Sequence, residues 1–499
     1  MPARAGNATM DLAALVSGIV AGKVANLHMA DVTLDSRSVT PGALFLACPG
    51  LKRHGLEFLD AALEAGAAAV LWEPAAGVSR PRVPAGAPVY EVAGLSRHVG
   101  ELADRFFGSP SAALAVTGVT GTNGKTTTAF LIAQALEACG EASAYAGTLG
   151  FGRPRSLRDT THTTPDCVSV HRELADARGL GLKNVAMEVS SHALVQGRVD
   201  AVRFRTAIFT NLTRDHLDYH LTMAAYGAAK ARLLQTPGLE ARVINVSDPF
   251  GRELAARQDP GALIAVAADG SEPRAERFVS ARHVRTMPRG LDLDVETHLG
   301  AVNFPAPLVG RFNAENILLT LAALLARGHG LAKATRALAN VCAPAGRMET
   351  FHRQGRAVAV VDYAHSPDAL AKALGALREH CAGRLWCVFG CGGDRDPGKR
   401  PMMAAVAERL ADVAIVTDDN PRTESGDAIV ADVLRGFTDR TRVRVIRDRA
   451  LAIRTALAEA GPQDAVLIAG KGHEDYQIYG TEKRDFSDRA IVLEAQEGA

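Results

Sequence analysis

An apolar stretch, Ala113 to Thr117, runs into Gly121-Thr-Asn-Gly-Lys-Thr-Thr127, and a helical pattern over Thr126 to Cys139 follows and stops before Gly140. A strand that enters a helix through a glycine-rich turn places backbone N–H groups around an anion at the helix N-terminus. It also belongs in a parallel sheet, with the helix as the crossover. In such a loop Lys125 can reach outer phosphates and the Thr126 hydroxyl suits Mg²⁺. The strict GxxxxGK[ST] spacing fails, because position 119 is Val. Strand, Gly-Lys-Thr and helix are nevertheless all in place, and they predict nucleotide binding. The alternative is a tight turn that happens to carry a lysine.

At roughly 150 residues per domain, 499 residues suggest about three globular units. Lys plus Arg number 56 against 55 Asp plus Glu, a net charge of +1, so no global basic field exists to hold nucleic acid or an anionic membrane. The most apolar stretch, Ile317 to Ala326, is too short to cross a bilayer. Met1 to Met10 carries one Arg and no apolar segment, which argues against a secretory signal and for a cytoplasmic location. The seven cysteines show no CxxC pair and read as reduced thiols; Cys387 and Cys391 have no nearby partner pair for zinc.

The fold class expected is α/β in three domains, over residues 1–94, 95–343 and 344–499. The first is a small α/β unit with strands at Ala43 to Cys48 and Ala67 to Trp72 around a helix from Glu57 to Ala65. The second opens with a helix over Leu95 to Phe107 and adds strands near 184–189, 206–210, 242–246 and 263–267. Its long helix carries Asn313 near the start. Past Ala343-Pro-Ala-Gly346, strands at 357–361, 385–389, 413–417, 443–446 and 465–469 alternate with helices, a doubly wound sheet. Four of these strands run into polar or glycine-rich clusters: Asp362 to His365, Gly390 to Arg395, Asp418 to Arg422 and Gly470 to Glu474. Ligands bind beyond the carboxyl ends of such strands, so the clusters should share one rim.

Glu188 ends a strand, and Asp215-His216-Leu-Asp218-Tyr-His220 forms a polar knot after another; a carboxylate so placed can hold Mg²⁺ beside a phosphate loop. Each residue taken singly reads equally well as a solvated acid or histidine. Lys230, among alanines in a helix, reads on composition alone as a solvated face. GCGGDR at Gly390 lacks dinucleotide GxGxxG spacing. Arg395, Arg422 and Glu474 offer two cations and a carboxylate on one rim, which suits an amino acid, with surface salt bridging as the alternative.

Together these motifs resemble the Mur ligases. The resemblance runs through Asp35-Ser-Arg37, Gly121 to Thr127, Thr163-Thr-Pro165, Glu188 to Leu194, Asp215 to His220, Tyr226 to Leu233, Gly346-Arg-Met-Glu349, Asp362 to Asp368, Gly390 to Pro401, Asp419 to Arg422 and Gly470 to Glu474. It implies an N-terminal UDP-binding domain, a central ATPase and a C-terminal Rossmann-like domain. It implies ATP contacts from Gly121, Thr122, Asn123, Gly124, Lys125, Thr126, Thr127, Asn313, Arg347 and Asp362. Mg²⁺ falls to Thr126, Glu188, His216 and an N-carboxylated Lys230, which reverses the composition reading of that lysine; Lys125, Lys230, Glu188 and His216 form the catalytic set.

The resemblance further implies that Leu34, Ser36, Leu51, Lys52 and Arg53 hold the UDP-sugar, and that Thr163, Thr164, Ser190, Gln196 and Arg198 hold the muramyl dipeptide. Where the family carries an Asp-Gly-His-like stretch after Gly50, this chain reads Lys52-Arg-His54-Gly-Leu56. Asp419-Asn420-Pro421-Arg422 resembles the family's diaminopimelate-selecting motif, with Arg395, Gly470 and Glu474 completing that subsite. A guanidinium clamps the extra carboxylate that distinguishes diaminopimelate from lysine. The implied reaction is ATP-dependent addition of meso-2,6-diaminopimelate to UDP-N-acetylmuramoyl-L-alanyl-D-glutamate by a cytoplasmic monomer of cell-wall precursor synthesis. Lysine, or glutamate with folate, is the alternative acceptor, and a phosphate-loop regulator without turnover is the alternative class.

Overall fold

The computed structural model describes residues 9–50, 52–82, 88–160 and 162–497. The chain divides into two compact units, Met1–Ile264 and Ala265–Ala499.

The first unit opens with a parallel sheet of Asp31–Thr33, Ala43–Ala47, Ala69–Trp72 and Val89–Glu91. Leu44, Leu46 and Leu71 pack with Leu95, Leu102 and Phe106, so the helix Val99–Phe106 shares a core with this sheet. A helix expected over Glu57 to Ala65 is a 3₁₀ turn, Gly55–Phe58, and then an α-helix, Leu59–Glu64. The cause is a capping box: the His54 side chain accepts from the Leu56 N–H, and Glu57 accepts from the His54 N–H.

The larger sheet of this unit places Ser143–Gly147, Asn184–Glu188, Ala115–Thr120, Phe204–Phe209 and Ala241–Asn245 side by side and parallel. The central strand Ala115–Thr120 lies later than the expected 113–117, because Pro110–Ala112 form a 3₁₀ turn entered by Ser109 at φ 48°. The strand Ser143–Gly147, rich in small residues, and the hairpin of Gly150–Arg153 with Ser156–Arg158 lack the β-branched run that marks a strand in sequence.

In the second unit, Gly290–Thr297 pairs antiparallel with Phe278–Met287 and Gly300–Ala306, and its Leu291, Leu293 and Val295 are buried on one face as their alternation implied. The other sheet runs Glu349–Phe351, Val358–Asp362, Ala465–Ala469, Leu385–Phe389, Val413–Val416, Val443–Val445, parallel except for the first pair. Period-2 alternation splits it between two cores. Leu385, Cys387 and Phe389 join Leu370, Leu374, Met403 and Val433 of helices on one face. Trp386 and Val388 join Ala452, Ile453 and Val492 on the other. Burial pushes the Cys387 and Cys391 thiols up to about 12, as befits core thiols. Among the described residues no helix is long and apolar enough to cross a membrane.

Candidate active site

The strand Ala115–Thr120 ends against Gly121, whose φ of 148° and close approach admit no side chain: a Cβ there would lie 1.8 Å from Thr210 Oγ1. Gly124, at φ 83°, starts the helix Lys125–Ala138 one residue earlier than the sequence suggested. The loop is tied to the neighbouring strand end: the Thr122 N–H donates to Asn211 O (2.8 Å), the Asn123 N–H to Asn211 Oδ1 (2.9 Å), and Thr210 Oγ1 to Asn123 O (2.6 Å). Lys125 Nζ folds back on Gly121 O (3.0 Å) and Thr122 O (2.9 Å).

Glu188, 1% exposed, sits beside this loop with both oxygens engaged. Thr126 Oγ1 donates to its Oε2 at 2.8 Å, while Oε1 accepts from Tyr145 OH and from the Thr148 N–H at 2.8 Å. Tyr145 and Thr148, which no motif singles out, thus orient the carboxylate. A hydroxyl and an aligned carboxylate are hard oxygen donors of the kind Mg²⁺ takes. Among the described residues no ready-made group of three or more His, Cys, Asp or Glu side chains could hold a metal ion, so Thr126 and Glu188 would need an added oxygen ligand.

Lys230 corrects the composition reading. It lies in the helix Met223–Leu234 but is 1% exposed, since this face of the helix packs under the loop. Its Nζ donates to Gly121 O at 2.6 Å and lies 4.3 Å from the Tyr226 ring centroid. Two lysines therefore converge on one carbonyl. Burial, reinforced by Lys125, pulls the Lys230 amine down to about 6, only partly opposed by Asp215. His216, at φ 51°, caps the short helix Leu217–His220 and stacks edge-on to His192 at 4.9 Å.

Thr163 and Thr164 extend from Glu188: Thr163 Oγ1 lies 3.0 Å from Thr148 Oγ1, and Thr164 Oγ1 donates to Glu188 O at 2.8 Å. The Ser190 N–H donates to Thr164 Oγ1 (3.2 Å), Arg198 Nη1 to Thr164 O (2.8 Å), and Arg198 Nε to Gln196 Oε1 (2.9 Å). The five residues expected at the dipeptide are thus one bonded chain. In the small sheet's loops, Ser36 follows Asp35, whose carboxylate is held below its ordinary range by Arg37. Leu34 packs on the core, Lys52 is exposed, and Arg53 Nε is bonded to Glu57 (2.8 Å). Leu51 lies outside the described residues.

In the second unit the strand-end clusters do meet. The Gly470 N–H donates to Asp362 O (3.1 Å), and the backbone of Gly472 abuts Tyr363. Asn420 Nδ2 donates to Glu474 Oε2 at 3.2 Å. Lys471, fully buried and absent from the expected set, donates to Asn420 Oδ1 (3.2 Å) and Glu474 Oε2 (3.1 Å), with Asp419 at 3.8 Å. Arg422, at φ 52°, is fixed by its N–H to Ile478 O (3.0 Å), by the Gly480 N–H to its O (2.7 Å), and by Nη1 to Gly393 O (2.7 Å). A Cβ at Gly392 would lie 2.9 Å from Arg422 Nη1 and 3.8 Å from Arg395 Cγ, so the two arginines flank that glycine. Pro421 O closes on Gly393, whose Cβ would lie 1.9 Å away.

The expected nucleotide residues of this unit lie nearby in part. Asp362 accepts from the N–H groups of Met348 (2.8 Å) and Ala364 (2.9 Å), and burial raises its carboxyl despite those bonds. The Arg347 guanidinium lies 5.0 Å from the Tyr363 ring, its Nε buried with no hydrogen-bond partner among the described residues. Asn313 is buried, donating to Val309 O at 2.8 Å.

A strand, a glycine loop and a helix with a lysine pair and an aligned carboxylate define a nucleotide-phosphate-binding α/β protein, here accompanied by a second parallel sheet whose rim carries paired charges. Family models match it at 28–107 (Mur ligase family, catalytic domain), 119–324 (Mur ligase middle domain) and 346–472 (Mur ligase, glutamate ligase domain). The chain belongs to the Mur ligase family. It is 48% identical over 463 residues to the UDP-N-acetylmuramoyl-L-alanyl-D-glutamate–2,6-diaminopimelate ligase of Pseudomonas aeruginosa, covering 93% of this chain and 94% of that one. It is 49% identical over 480 residues to the ligase of the same name from Xanthomonas campestris pv. campestris, covering 94% of each. A solved structure of a ligase of that name superposes with a TM-score of 0.73 at 33% identity, covering 98% of this chain and 99% of that one.

Proposed function

We propose that the chain joins meso-2,6-diaminopimelate to the D-glutamate carboxylate of UDP-N-acetylmuramoyl-L-alanyl-D-glutamate at the expense of ATP, in peptidoglycan precursor synthesis. The full-length likeness to diaminopimelate ligases carries this reading. Lys125, at the helix N-terminus, meets the terminal phosphates of ATP and offsets charge developing on the transferred phosphoryl group. The glutamate carboxylate attacks the γ-phosphorus, giving an acyl phosphate and ADP. The amine of diaminopimelate then attacks the acyl carbon, phosphate leaves, and a proton is released with the new amide. Activation is required because a carboxylate is a poor electrophile.

Mg²⁺ would be held by Thr126 Oγ1 and Glu188, with His216 and Lys230 adding to the shell, and when bound it neutralises phosphate charge. For Lys230 that role requires an anion. An uncharged Nζ adds to the carbon of CO₂, loses a proton and becomes a carbamate, and a buried amine titrating near 6 is uncharged at neutral pH. Asn313, Arg347 and Asp362 contact the nucleotide. Thr163, Thr164, Ser190, Gln196 and Arg198 hold the dipeptide, and Leu34, Ser36, Leu51, Lys52 and Arg53 hold the uridine end. Arg395, Asp419, Asn420, Pro421, Arg422, Gly470 and Glu474 receive the amino acid. Functionally we divide the chain at 94 and 343, and we place it in the cytoplasm as a monomer.

Phosphate release with ATP, Mg²⁺ and the dipeptide precursor, with and without each amino acid, is the test. Release that requires diaminopimelate supports the reading. Release supported equally by lysine would remove the acceptor assignment, and no precursor-dependent release would remove the ligase.

A further inference from the structure

The amino-acid rim contains a cation that none of the expected subsite residues supplies. Lys471 is 0% exposed, while its neighbours Glu474 and Asp419 have side chains 18% and 10% exposed. It lies between two glycines for a steric reason. Gly470, at φ 119°, has Asp419 Oδ2 2.8 Å from where its Cβ would be, and Gly472, at φ 55°, has Tyr363 at the same distance. The Lys471 side chain is itself fully buried, with the Tyr476 ring centroid 5.3 Å from Nζ.

There it closes a three-membered ring of hydrogen bonds. Nζ donates to Asn420 Oδ1 and Glu474 Oε2, and Asn420 Nδ2 donates to the same Oε2. The Ile478 N–H also donates to Asn420 Oδ1, at 3.0 Å, which fixes which end of the amide carries oxygen. Both internal donors thus fall on Oε2, and no bond of the ring uses Oε1 of Glu474.

We infer that Lys471 is a positioning residue for the acceptor amino acid, holding Glu474 and Asn420 so that Glu474 Oε1 presents a fixed negative charge to the substrate ammonium. This deepens the acceptor reading above and rests on it. A buried cation shared by an amide and a carboxylate costs desolvation, which its two charge-assisted bonds offset. Removing the cation leaves Glu474 free to turn and weakens its hold on the ammonium.

The test is steady-state phosphate release for the parent, Lys471→Met, Lys471→Gln and Lys471→Arg, with KM measured separately for ATP, the dipeptide precursor and diaminopimelate. For Lys471→Met the KM for diaminopimelate is expected to rise about 10- to 100-fold, the loss of one bond to a charged group, with the other two KM values within about twofold. Lys471→Gln, which keeps a donor without charge, follows with a smaller rise, and Lys471→Arg recovers part of the loss. A fall in kcat alone, or equal shifts in all three KM values, overturns the inference in favour of a purely structural role. If Lys471→Met does not fold, Lys471→Gln decides on the same criterion. A parent that releases no diaminopimelate-dependent phosphate fails the acceptor reading instead, before any variant is compared.

Discussion

Replacing Arg422 by alanine tests whether one guanidinium sets the acceptor. Arg422 is half-buried, and its only side-chain bond within the described structure is from Nη1 to Gly393 O. Its Nε–Nη2 edge is therefore left to receive a carboxylate through two parallel bonds, the arrangement a guanidinium is shaped for. Two such bonds to a charged group have an upper value of about 3–6 kcal/mol. Partial exposure at the rim reduces this to about 2–3 kcal/mol, or roughly 30- to 150-fold. Arg422→Ala is expected to lose that factor in kcat/KM for diaminopimelate and to leave the weak use of lysine nearly unchanged. Lys at this position keeps the charge without the fork and recovers only part. The assay is phosphate release with each amino acid at a fixed concentration of precursor. An alanine variant that keeps the parent's preference would refute the argument, because the discrimination would then come from somewhere other than the Nε–Nη2 edge.

Lys125→Ala should lower precursor-dependent phosphate release by more than about 100-fold, checked in the same assay while circular dichroism confirms folding. Gly147→Ala would put a Cβ 2.2 Å from Glu188 Oε1 and 2.5 Å from Tyr145 OH; the expected result is a raised Mg²⁺ requirement, read from activity against Mg²⁺ concentration. The Lys230 amine should yield a carbamate signal in ¹³C NMR with labelled bicarbonate at pH 8 that fades below about 6, where the ammonium cannot bind CO₂. For the unmodified amine the folded value lies below the ordinary 10.5, so the folded chain binds fewer protons over that interval. Its contribution to stability therefore rises as pH climbs from about 6 to 10.5, and the penalty is full below 6. Arg449→Met strands the Asp488 carboxylate of a fully buried pair, bonded at 2.7 Å, and should cost about 3–5 kcal/mol in denaturant unfolding.

The phosphate loop was legible because its chemistry is local: glycines at 121 and 124, a lysine and a hydroxyl are consecutive, and the turn they form needs no distant partner. The strand-end clusters of the second sheet were legible for a related reason, since parallel strands all deliver their following loops to one edge. Lys230 shows the limit. Alanine-rich surroundings look solvated in a helix, and only the packing of that helix against Gly121 buries the amine and weakens its hold on a proton. Tyr145 and Thr148 gave no signal, because what matters in them is one hydroxyl and one backbone N–H aimed at a carboxylate some forty residues away.

The residues themselves determined the α/β class, the anion-binding turn and the identity of the charges that follow the strands of the second sheet, each being a property of short spacing and side-chain type. Tertiary structure decided which charges are buried and what they touch: Glu188 between Thr126 and Tyr145, Lys230 on Gly121, Lys471 beneath Asn420 and Glu474. Burial and hydrogen bonding are set by chain segments far apart in sequence, and they fix protonation and orientation, which the order of residues along one segment does not encode.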